Sequence, residues 1–350
     1  MNYGIGVIGV GVRGQHSYEL ALKAHPSCRL RAVSQYPGVS EAMLEGKDPK
    51  VCATQYAQEH DAVYYADYRD LLARDDVHII SLMCEPSAAP ELVEACCAAG
   101  KHIVRDKPIC ADMDGARRIV NAIDRAGVQM LVTLGTRFSP TLRTMREQVI
   151  GGAVGDILVA SFTFIQGGGP LAGFIASPGY LESVGGGEVT NFGYYALDYL
   201  LWLTGSEVES VYALMGSEFY PDYQYAGMED MGTLSLRFES GAVGHMTTGR
   251  TTTQNPPESY FRADVTGTAG TITCHSAAEQ VTMHNGGARN LSFAPEAIPA
   301  MIGAFIEALD GGSESPITAR DGARVLRVLK AAYLSAQEGR EVRLEEIAGV

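Results

Sequence analysis

Residues 5–14 read Ile-Gly-Val-Ile-Gly-Val-Gly-Val-Arg-Gly, an apolar run that enters a glycine-rich turn, and residues 15–24 are predicted to form a helix. The three glycines of such a turn have separate roles. Gly9 makes the tight turn, Gly11 lets the backbone approach a pyrophosphate, and Gly14 lets the helix lie close to the strand. The N-terminal amides of that helix would bind the pyrophosphate. The leading strand and following helix favour dinucleotide binding, and the alternative is an ordinary strand–turn–helix connection.

The composition of the chain is that of a globular protein with more than one domain. It has 350 residues, of which 46% are hydrophobic and 19% charged. This length exceeds what one compact core usually holds, so we expect two domains. No apolar run approaches the length of a membrane-spanning helix, and the first residues already belong to the first strand. We therefore expect a cytoplasmic protein that has no membrane partner.

Cysteine usage and net charge exclude two classes of partner. The seven cysteines are an odd number without the paired spacing of a metal site, which predicts reduced thiols and no bound metal. The formal net charge of −14 argues against nucleic-acid binding, because phosphates need a basic surface. The charge says little about a small-molecule substrate.

Strands and helices alternate over residues 1–125, which predicts a doubly wound parallel sheet that binds ligands outside the carboxyl ends of its strands. The predicted strands are Ile5 to Val10, Cys28 to Ser34, His78 to Met83, His102 to Val104 and Val128 to Thr133. The predicted helices are Gln15 to Ala24, Pro49 to His60, Tyr68 to Arg74, Ala88 to Ala99 and Asp112 to Ala126. The glycine turn, Glu85-Pro86 and Asp106-Lys107-Pro108 all follow strand ends.

Longer alternating strands follow and predict an α+β domain over residues 126–315 with a largely antiparallel sheet. One helix is predicted within it at Val189 to Leu203, after the glycine triplet of residues 185–187. Residues 316–350 are predicted to form a helix and a strand that pack back near the domain junction. Residues 167–187 and 217–230 are predicted to be loops, and the first of them has the length of a loop that covers a site.

Two sets of residues could carry chemistry. Lys107 stands just past a strand end with a proline behind it, although most lysines are solvated surface residues. Asn191, Tyr195 and Asp198 have i, i+4, i+7 spacing, which places them on one helical face. An aromatic residue at this spacing is often core packing instead, Tyr194 is a rival candidate, and Asp198 could simply orient a neighbour.

Pairing Lys107 with Tyr195 would change the acidity of the tyrosine. A free phenol has a pKa near 10, but an ammonium within about 4–6 Å favours the phenolate. Tyr195 could then exchange a proton with a substrate hydroxyl or carbonyl while a hydride moves to or from a nicotinamide.

These residues resemble the Gfo/Idh/MocA oxidoreductases. The resemblance lies in residues 9–14, 100–108, 136–140, 151–155, 185–205 and 315–344, and so spans nearly the whole chain. It implies an N-terminal Rossmann domain that binds NAD or NADP, and a C-terminal domain whose large open sheet supplies the substrate pocket and often an oligomer interface. Lys107 matches the lysine of the family's Glu-Lys-Pro motif. Asn191 and Tyr195 stand where many members carry aspartate and histidine, and Asp198 is retained.

The end of the second strand also departs from the family pattern. A carboxylate about 20 residues after the glycine motif normally binds the adenosine ribose, but this chain has Ser34 and Gln35 there. Without that charge a 2′-phosphate is not repelled, and Ser34 with Arg13 could receive it. We therefore expect NADP as the cofactor, with NAD as the alternative.

The sequence thus predicts an NAD(P)-dependent oxidoreductase that acts on a sugar, a polyol or a related small hydroxy or keto compound, as a homo-oligomer, either a dimer or a tetramer. The alternatives are a cofactor-binding sensor without turnover and a redox-neutral lyase or epimerase. The predicted catalytic residues are Lys107, Tyr195, Asn191 and Asp198. The predicted cofactor-binding residues are Gly9, Gly11, Val12, Arg13, Gly14, Ser34, Gln35, Glu85, Pro86, Lys107 and Arg137. The predicted substrate-binding residues are Lys107, Arg137, Gln166, Asn191 and Tyr195.

Overall fold

The first part of the chain forms a six-stranded parallel sheet with the strand order β3-β2-β1-β4-β5-β6. The computed structural model describes residues 2–10, 15–39, 44, 47–166, 186–250, 259–275, 280–284, 288–292 and 297–350. The strands are β1 (Tyr3–Ile8), β2 (Cys28–Ser34), β3 (Val63–Tyr65), β4 (Ile79–Leu82), β5 (His102–Arg105) and β6 (Met130–Val132). The order reverses between β1 and β4, so a crevice opens at the carboxyl ends of these two strands.

Helices cover both faces of this sheet, which confirms the predicted doubly wound architecture. They are α1 (Gln15–Ala24), α2 (Pro49–Glu59), α3 (Tyr68–Leu72), α4 (Ala89–Ala98), α5 (Met113–Ala126) and α6 (Pro140–Ile150), with a 3-10 turn at Gly135–Phe138. The caps have the expected chemistry. Asp112 accepts from the Gly115 amide at 2.7 Å at the start of α5, and Gly127, with φ +65°, ends that helix.

The second sheet has nine strands in the order β14-β13-β12-β11-β7-β10-β9-β8-β15, and only the β7–β10 pair is parallel among the pairings that the structure describes. This confirms the predicted large, mostly antiparallel open sheet. Its strands are β7 (Ile157–Gln166), β8 (Val208–Gly216), β9 (Met231–Phe238), β10 (Val243–Arg250), β11 (Ser259–Gly267), β12 (Thr271–His275), β13 (Gln280–His284), β14 (Ala288–Ser292) and β15 (Val342–Arg343).

The helices of the second part are α7 (Glu188–Asn191), α8 (Gly193–Thr204), α9 (Pro221–Ala226), α10 (Ala297–Gly311) and α11 (Ala319–Glu338). Of these, α7, α8 and α11 contact strands of the sheet on one face. The opposite face, called the exposed sheet face below, carries solvent-exposed side chains among the described residues. Alternate residues such as Leu234, Met246 and Phe162 are fully buried on the helix side. Tyr212 and Leu214 on the opposite face are 38% and 59% exposed.

Two predicted elements differ from the structure. The single helix predicted for Val189 to Leu203 is interrupted at Phe192, so Asn191 ends α7 and Tyr195 lies in the first turn of α8. Residues 217–230, predicted to be a loop, contain the short helix α9. A tight turn at Gly227, with φ +65°, closes this helix. Short helices of this kind depend on tertiary contacts rather than on local periodicity.

Helix α11 lies between the two sheets. A methyl group built on its Gly322 would come within 3.3 Å of Ile109 and Val132 of the first domain. One turn before its end, the Ser335 hydroxyl accepts from the Ala213 amide of β8 at 3.0 Å. The C-terminal helix therefore contacts both sheets.

Candidate active site

Lys107 lies in the turn after β5, and its ammonium reaches the start of the second domain. Its Nζ donates to the backbone oxygen of Asn191 at 2.8 Å and to Asn191 Oδ1 at 2.5 Å. Asp106 fixes the turn, since its Oδ1 accepts from the Lys107 amide at 2.9 Å and from the Thr133 hydroxyl at 2.7 Å. The structure thus joins two of the predicted site residues, one from each domain.

Tyr195 lies beside this lysine with its ring facing the ammonium. Lys107 Nζ is 5.3 Å from the ring centroid, and the Tyr195 hydroxyl is 3.2 Å from the hydroxyl of Tyr18 on α1. The rival Tyr194 is fully buried and donates to the Gly322 carbonyl at 3.0 Å, which makes it a core residue. Tyr18 was missed by the sequence analysis, because nothing in its own helix shows what faces it across the domain boundary.

The proton affinities at this site differ from the prediction that Lys107 makes the Tyr195 phenol more acidic. Burial raises the pKa of Tyr195 well above its ordinary value, and Tyr18 and Asp106 raise it further. Burial also lowers the pKa of Lys107, against the opposing charges of Asp106 and Glu188. Burial outweighs the pairing of charges, so the phenol stays protonated and the pKa of Tyr195 lies above that of Lys107.

Glu188 is a buried carboxylate that the sequence analysis did not single out. Its side chain is 1% exposed and accepts from Arg250 Nε at 2.8 Å and from the Tyr223 hydroxyl. It also accepts from Asn191 Nδ2 at 3.4 Å, which turns the amide oxygen of Asn191 toward Lys107. Its position after the glycine triplet was the only available signal, and sequence spacing cannot reveal a partner on a distant strand.

Arg137 and Asp198, both predicted as site residues, form an ion pair with each other. Asp198 is fully buried, and its two oxygens accept from Arg137 Nε at 2.8 Å and from Arg137 NH2 at 2.5 Å. The same guanidinium lies 2.8 Å from Asp321 on α11. The two side chains thus belong to a buried ion-pair network that joins the 3-10 turn, α8 and α11, and their predicted roles in the site stay predictions.

The predicted glycine turn begins at the end of β1. Gly9 has φ +93°, and a methyl group built on it would lie 1.7 Å from the carbonyl oxygen of Met83, so only glycine fits. Gln35 holds the next residue by both ends of its amide, accepting from the Val10 amide at 3.1 Å and donating to the Val10 carbonyl at 2.7 Å. Four predicted cofactor-binding residues lie outside the described residues: Gly11, Val12, Arg13 and Gly14.

Ser34, predicted to receive a 2′-phosphate, has its hydroxyl hydrogen-bonded to the backbone in this structure. It is fully buried, and its hydroxyl donates at 3.0 Å to the carbonyl oxygens of Gln35 and Tyr65. Its only hydroxyl proton is therefore committed to the backbone. The predicted residues Glu85 and Pro86 are both buried after β4, where Glu85 accepts from the hydroxyl of Tyr36.

Gln166 lies at the carboxyl end of β7. Its register partner on the parallel strand β10 is Arg250, so the two residues share one edge of the second sheet. Arg250 in turn contacts the carboxylate that orients Asn191. The loop predicted to cover the site falls mostly on residues 167–185, which lie outside the described residues.

The donor set of this crevice fits a dinucleotide. A turn that requires glycine and a helix N-terminus after it are the features that bind a pyrophosphate, and the crevice lies at the point where the strand order reverses. Among the described residues, no group of three or more histidine, cysteine or acidic side chains is arranged to hold a metal ion. None of the helices described has the length and apolarity needed to cross a bilayer.

Fold and site together define a nicotinamide-dependent oxidoreductase. The chain belongs to the Gfo/Idh/MocA family. Residues 3–134 match the family described as an oxidoreductase family with an NAD-binding Rossmann fold, and residues 142–273 match the GFO/IDH/MocA C-terminal domain. The family predicted from the sequence is thereby confirmed, as is an enzyme that acts with a nicotinamide dinucleotide.

Similar proteins cover most of the chain. Among curated relatives, the uncharacterized oxidoreductase YrbE of Bacillus subtilis is 26% identical over 83% of this chain and 85% of its own length. Myo-inositol 2-dehydrogenase of Thermotoga maritima is 27% identical over 81% of this chain and 85% of its own length. Among solved structures, a probable dehydrogenase from Thermotoga maritima has a TM-score of 0.78 at 25% identity, covering 99% of this chain and 100% of its own.

Proposed function

We propose that this protein transfers a hydride between a nicotinamide dinucleotide and the carbon that bears a hydroxyl or keto oxygen in a sugar, polyol or related small compound. The observation that carries the proposal is the meeting of Lys107, Asn191 and Tyr195 where the two domains face each other. The substrate class is supported by relatives named myo-inositol 2-dehydrogenase, D-apiose dehydrogenase and levoglucosan dehydrogenase.

The dinucleotide would supply the hydride chemistry, and the residues of the chain would handle the proton and the oxygen. Lys107 has three N–H donors, of which two are used on Asn191. The third is available to hold the substrate oxygen. Its charge would stabilise negative charge that develops on that oxygen.

Tyr195 is the proposed proton donor or acceptor. Because burial keeps its phenol protonated, Tyr195 is suited to give a proton to a carbonyl oxygen during reduction. In the oxidative direction microscopic reversibility assigns the acceptor role to the same group, the Tyr195 phenolate. The Lys107 ammonium, 5.3 Å from the centre of the Tyr195 ring, would stabilise that phenolate.

Asn191 replaces a carboxylate that many family members carry, and the structure suggests what takes over its orienting role. Glu188 accepts from the Asn191 amide at 3.4 Å, and the amide oxygen then faces Lys107 at 2.5 Å. The negative charge is thus on Glu188, and the Asn191 amide lies between this carboxylate and the Lys107 ammonium. Gln166 and Arg250, at the edge of the second sheet, are proposed to line the substrate side.

The cofactor is proposed to bind at the glycine turn. Residue 35 bears on whether the adenosine ribose carries a 2′-hydroxyl, as in NAD, or a 2′-phosphate, as in NADP. The neutral Gln35 does not repel a 2′-phosphate, which supports NADP as the sequence predicts. The amide of Gln35, however, is used on Val10, and the hydroxyl of Ser34 is used on the backbone. Neither side chain offers a donor to a phosphate.

The experiment that tests the function incubates the purified protein with NAD or NADP and a panel of sugars and polyols. The expected result is the absorbance of reduced nicotinamide with at least one compound. A cofactor that stays bound through purification, with product formed at constant absorbance, would favour redox-neutral chemistry instead. Cofactor binding without any product across the panel would favour a sensor.

We also propose a cytoplasmic homo-oligomer. All seven cysteines lie in described residues and are free thiols, as in a reducing compartment. The exposed sheet face carries Tyr212 and Leu214 on β8, and Val159 on β7 and its register partner Val243 on β10 are 45% and 46% exposed. A broad face of this kind with few charges favours self-association.

A further inference from the structure

Three chain segments meet where the strand order of the first sheet reverses. The Gly9 amide donates to the Ser34 carbonyl at the end of β2, and the Met83 amide after β4 donates to the Ile8 carbonyl of β1. The end of β1 therefore lies between the ends of β2 and β4. A dinucleotide that binds at the glycine turn must lie on top of this edge.

Gln35 stands where a dinucleotide fold usually places the carboxylate that binds the adenosine ribose. Its side chain is 9% exposed, and both ends of its amide are hydrogen-bonded to the backbone of Val10. Gln35 therefore shapes the glycine turn rather than facing a ligand. The role of ribose acceptor is left for another residue.

Tyr36 and Glu85 bridge the same edge. The Tyr36 ring lies over the end of β1, since a methyl group built on Gly9 would come within 3.4 Å of its Cε1. Its hydroxyl donates to Glu85 Oε2 on the far side of β1. Burial and the charge of Glu85 raise the pKa of Tyr36, so the hydroxyl remains a donor that holds this carboxylate in place.

We propose that Glu85, positioned by Tyr36, supplies from the end of β4 the negative charge that residue 35 lacks, and that it makes the site select NAD over NADP. A carboxylate accepts hydrogen bonds from the ribose hydroxyls of NAD, whereas it repels the 2′-phosphate of NADP. The inference rests on the proposed function and concerns the cofactor end of the same site.

The test measures binding of NADH and NADPH to the purified full-length protein by nicotinamide fluorescence, so no substrate is needed. We expect the wild-type protein to bind NADH at least about tenfold more tightly, which corresponds to about 1.4 kcal/mol. In Glu85→Gln this ratio should fall to about threefold or less, mainly because NADPH binds more tightly. The matched control is Glu91→Gln, which removes an exposed carboxylate on α4 and should leave the ratio unchanged.

Tyr36→Phe keeps the ring and removes only the hydroxyl that holds Glu85. The preference for NADH over NADPH should decrease in this variant as well. Thermal unfolding shows whether each variant is folded, and Tyr36→Phe provides the test if Glu85→Gln does not fold. Equal or tighter binding of NADPH by the wild-type protein overturns the inference, and so does an unchanged ratio in a folded Glu85→Gln or Tyr36→Phe protein. Failure of the wild-type protein to bind either dinucleotide contradicts the proposed function instead.

Discussion

At the scale of single residues, the position of Lys107 decides what the site can do. Its ammonium is held by two oxygens of Asn191, and burial has already lowered its pKa. Methionine has a similar length and no charge, so Lys107→Met removes the cation with little change in packing. We expect turnover to fall by about 10²–10⁴-fold. Dinucleotide binding should change by less than about threefold.

Steady-state kinetics and fluorescence titration of Lys107→Met check this expectation. Lys50→Met is the matched control, since Lys50 is an exposed lysine in the first turn of α2. Its kinetics should equal those of the wild-type protein. Turnover that survives in Lys107→Met would remove this lysine from the chemistry.

Gly9 and Gly38 differ in why each position favours glycine. Both have positive φ, +93° and +81°, but only a methyl group on Gly9 would meet a backbone atom, whereas nothing lies within 4 Å at Gly38. Gly38→Ala should therefore cost only the backbone strain, about 1–2 kcal/mol of unfolding free energy. Gly9→Ala should cost more than about 4 kcal/mol or prevent folding. Urea unfolding of the two variants tests the difference, and equal losses would contradict it.

At the scale of elements, the ion pairs of Arg137 join the 3-10 turn, α8 and α11. Burial raises the pKa of Asp198, and this effect is opposed by Arg137, which donates two hydrogen bonds to the carboxylate. Asp198→Asn should lower the unfolding free energy by about 3 kcal/mol, because it leaves a buried charge partly unpaired. The turnover of the folded variant should change less than about twofold.

Thermal unfolding and kinetics at a temperature at which the variant is folded measure the two effects of Asp198→Asn. Asp114→Asn is the control, because it removes an exposed partner of Arg117 and should cost under about 1 kcal/mol. A large loss of turnover with unchanged stability would return Asp198 to the catalytic role that its helical spacing predicts.

The buried Glu19 on helix α1 makes the free energy of unfolding depend on pH. This side chain is 2% exposed, and burial raises its pKa to about 7 against the effect of Lys23, 3.3 Å away. The folded state therefore holds the proton more tightly than the unfolded state, whose pKa is about 4.3. Stability falls as the pH rises from about 4.5 to about 7 and then levels off.

Glu19→Gln removes this titration while keeping an acceptor for Lys23. We expect the variant to be more stable than the wild-type protein at about pH 8, by a few kcal/mol at most, and to differ little at about pH 4.5. Urea unfolding at the two pH values measures the difference. A variant less stable at the higher pH would show that the ion pair with Lys23 outweighs burial.

At the scale of the whole molecule, the exposed sheet face is the proposed contact between copies of the chain. Leu214→Glu places a charge on this face, where Leu214 is 59% exposed, and should shift light scattering toward the monomer. Val51→Glu alters a residue 51% exposed on α2 of the first domain and should leave the assembly intact. A monomeric wild-type protein, or an unchanged assembly in Leu214→Glu, would contradict this proposal.

Local pattern by itself determined much of the fold. Apolar runs with glycine turns after them specify parallel strands, and alternation over longer strands specifies a half-covered sheet, since both depend on neighbours in sequence. The same logic located Lys107 at a strand end and predicted that Asn191 and Tyr195 lie near each other, as they do beside this lysine. The continuous helix was wrong at Phe192, where the helical hydrogen-bond pattern breaks between α7 and α8.

The tertiary structure alone decided which charges are buried and with what partners. Arg137 and Asp198 pair with each other, and Glu188, itself paired with Arg250 from a separate element, orients Asn191. The same holds for the acidity of Tyr195, because burial depends on every element packed around the phenol. Sequence determines these side chains one by one, whereas desolvation and pairing arise only when distant segments exclude water together.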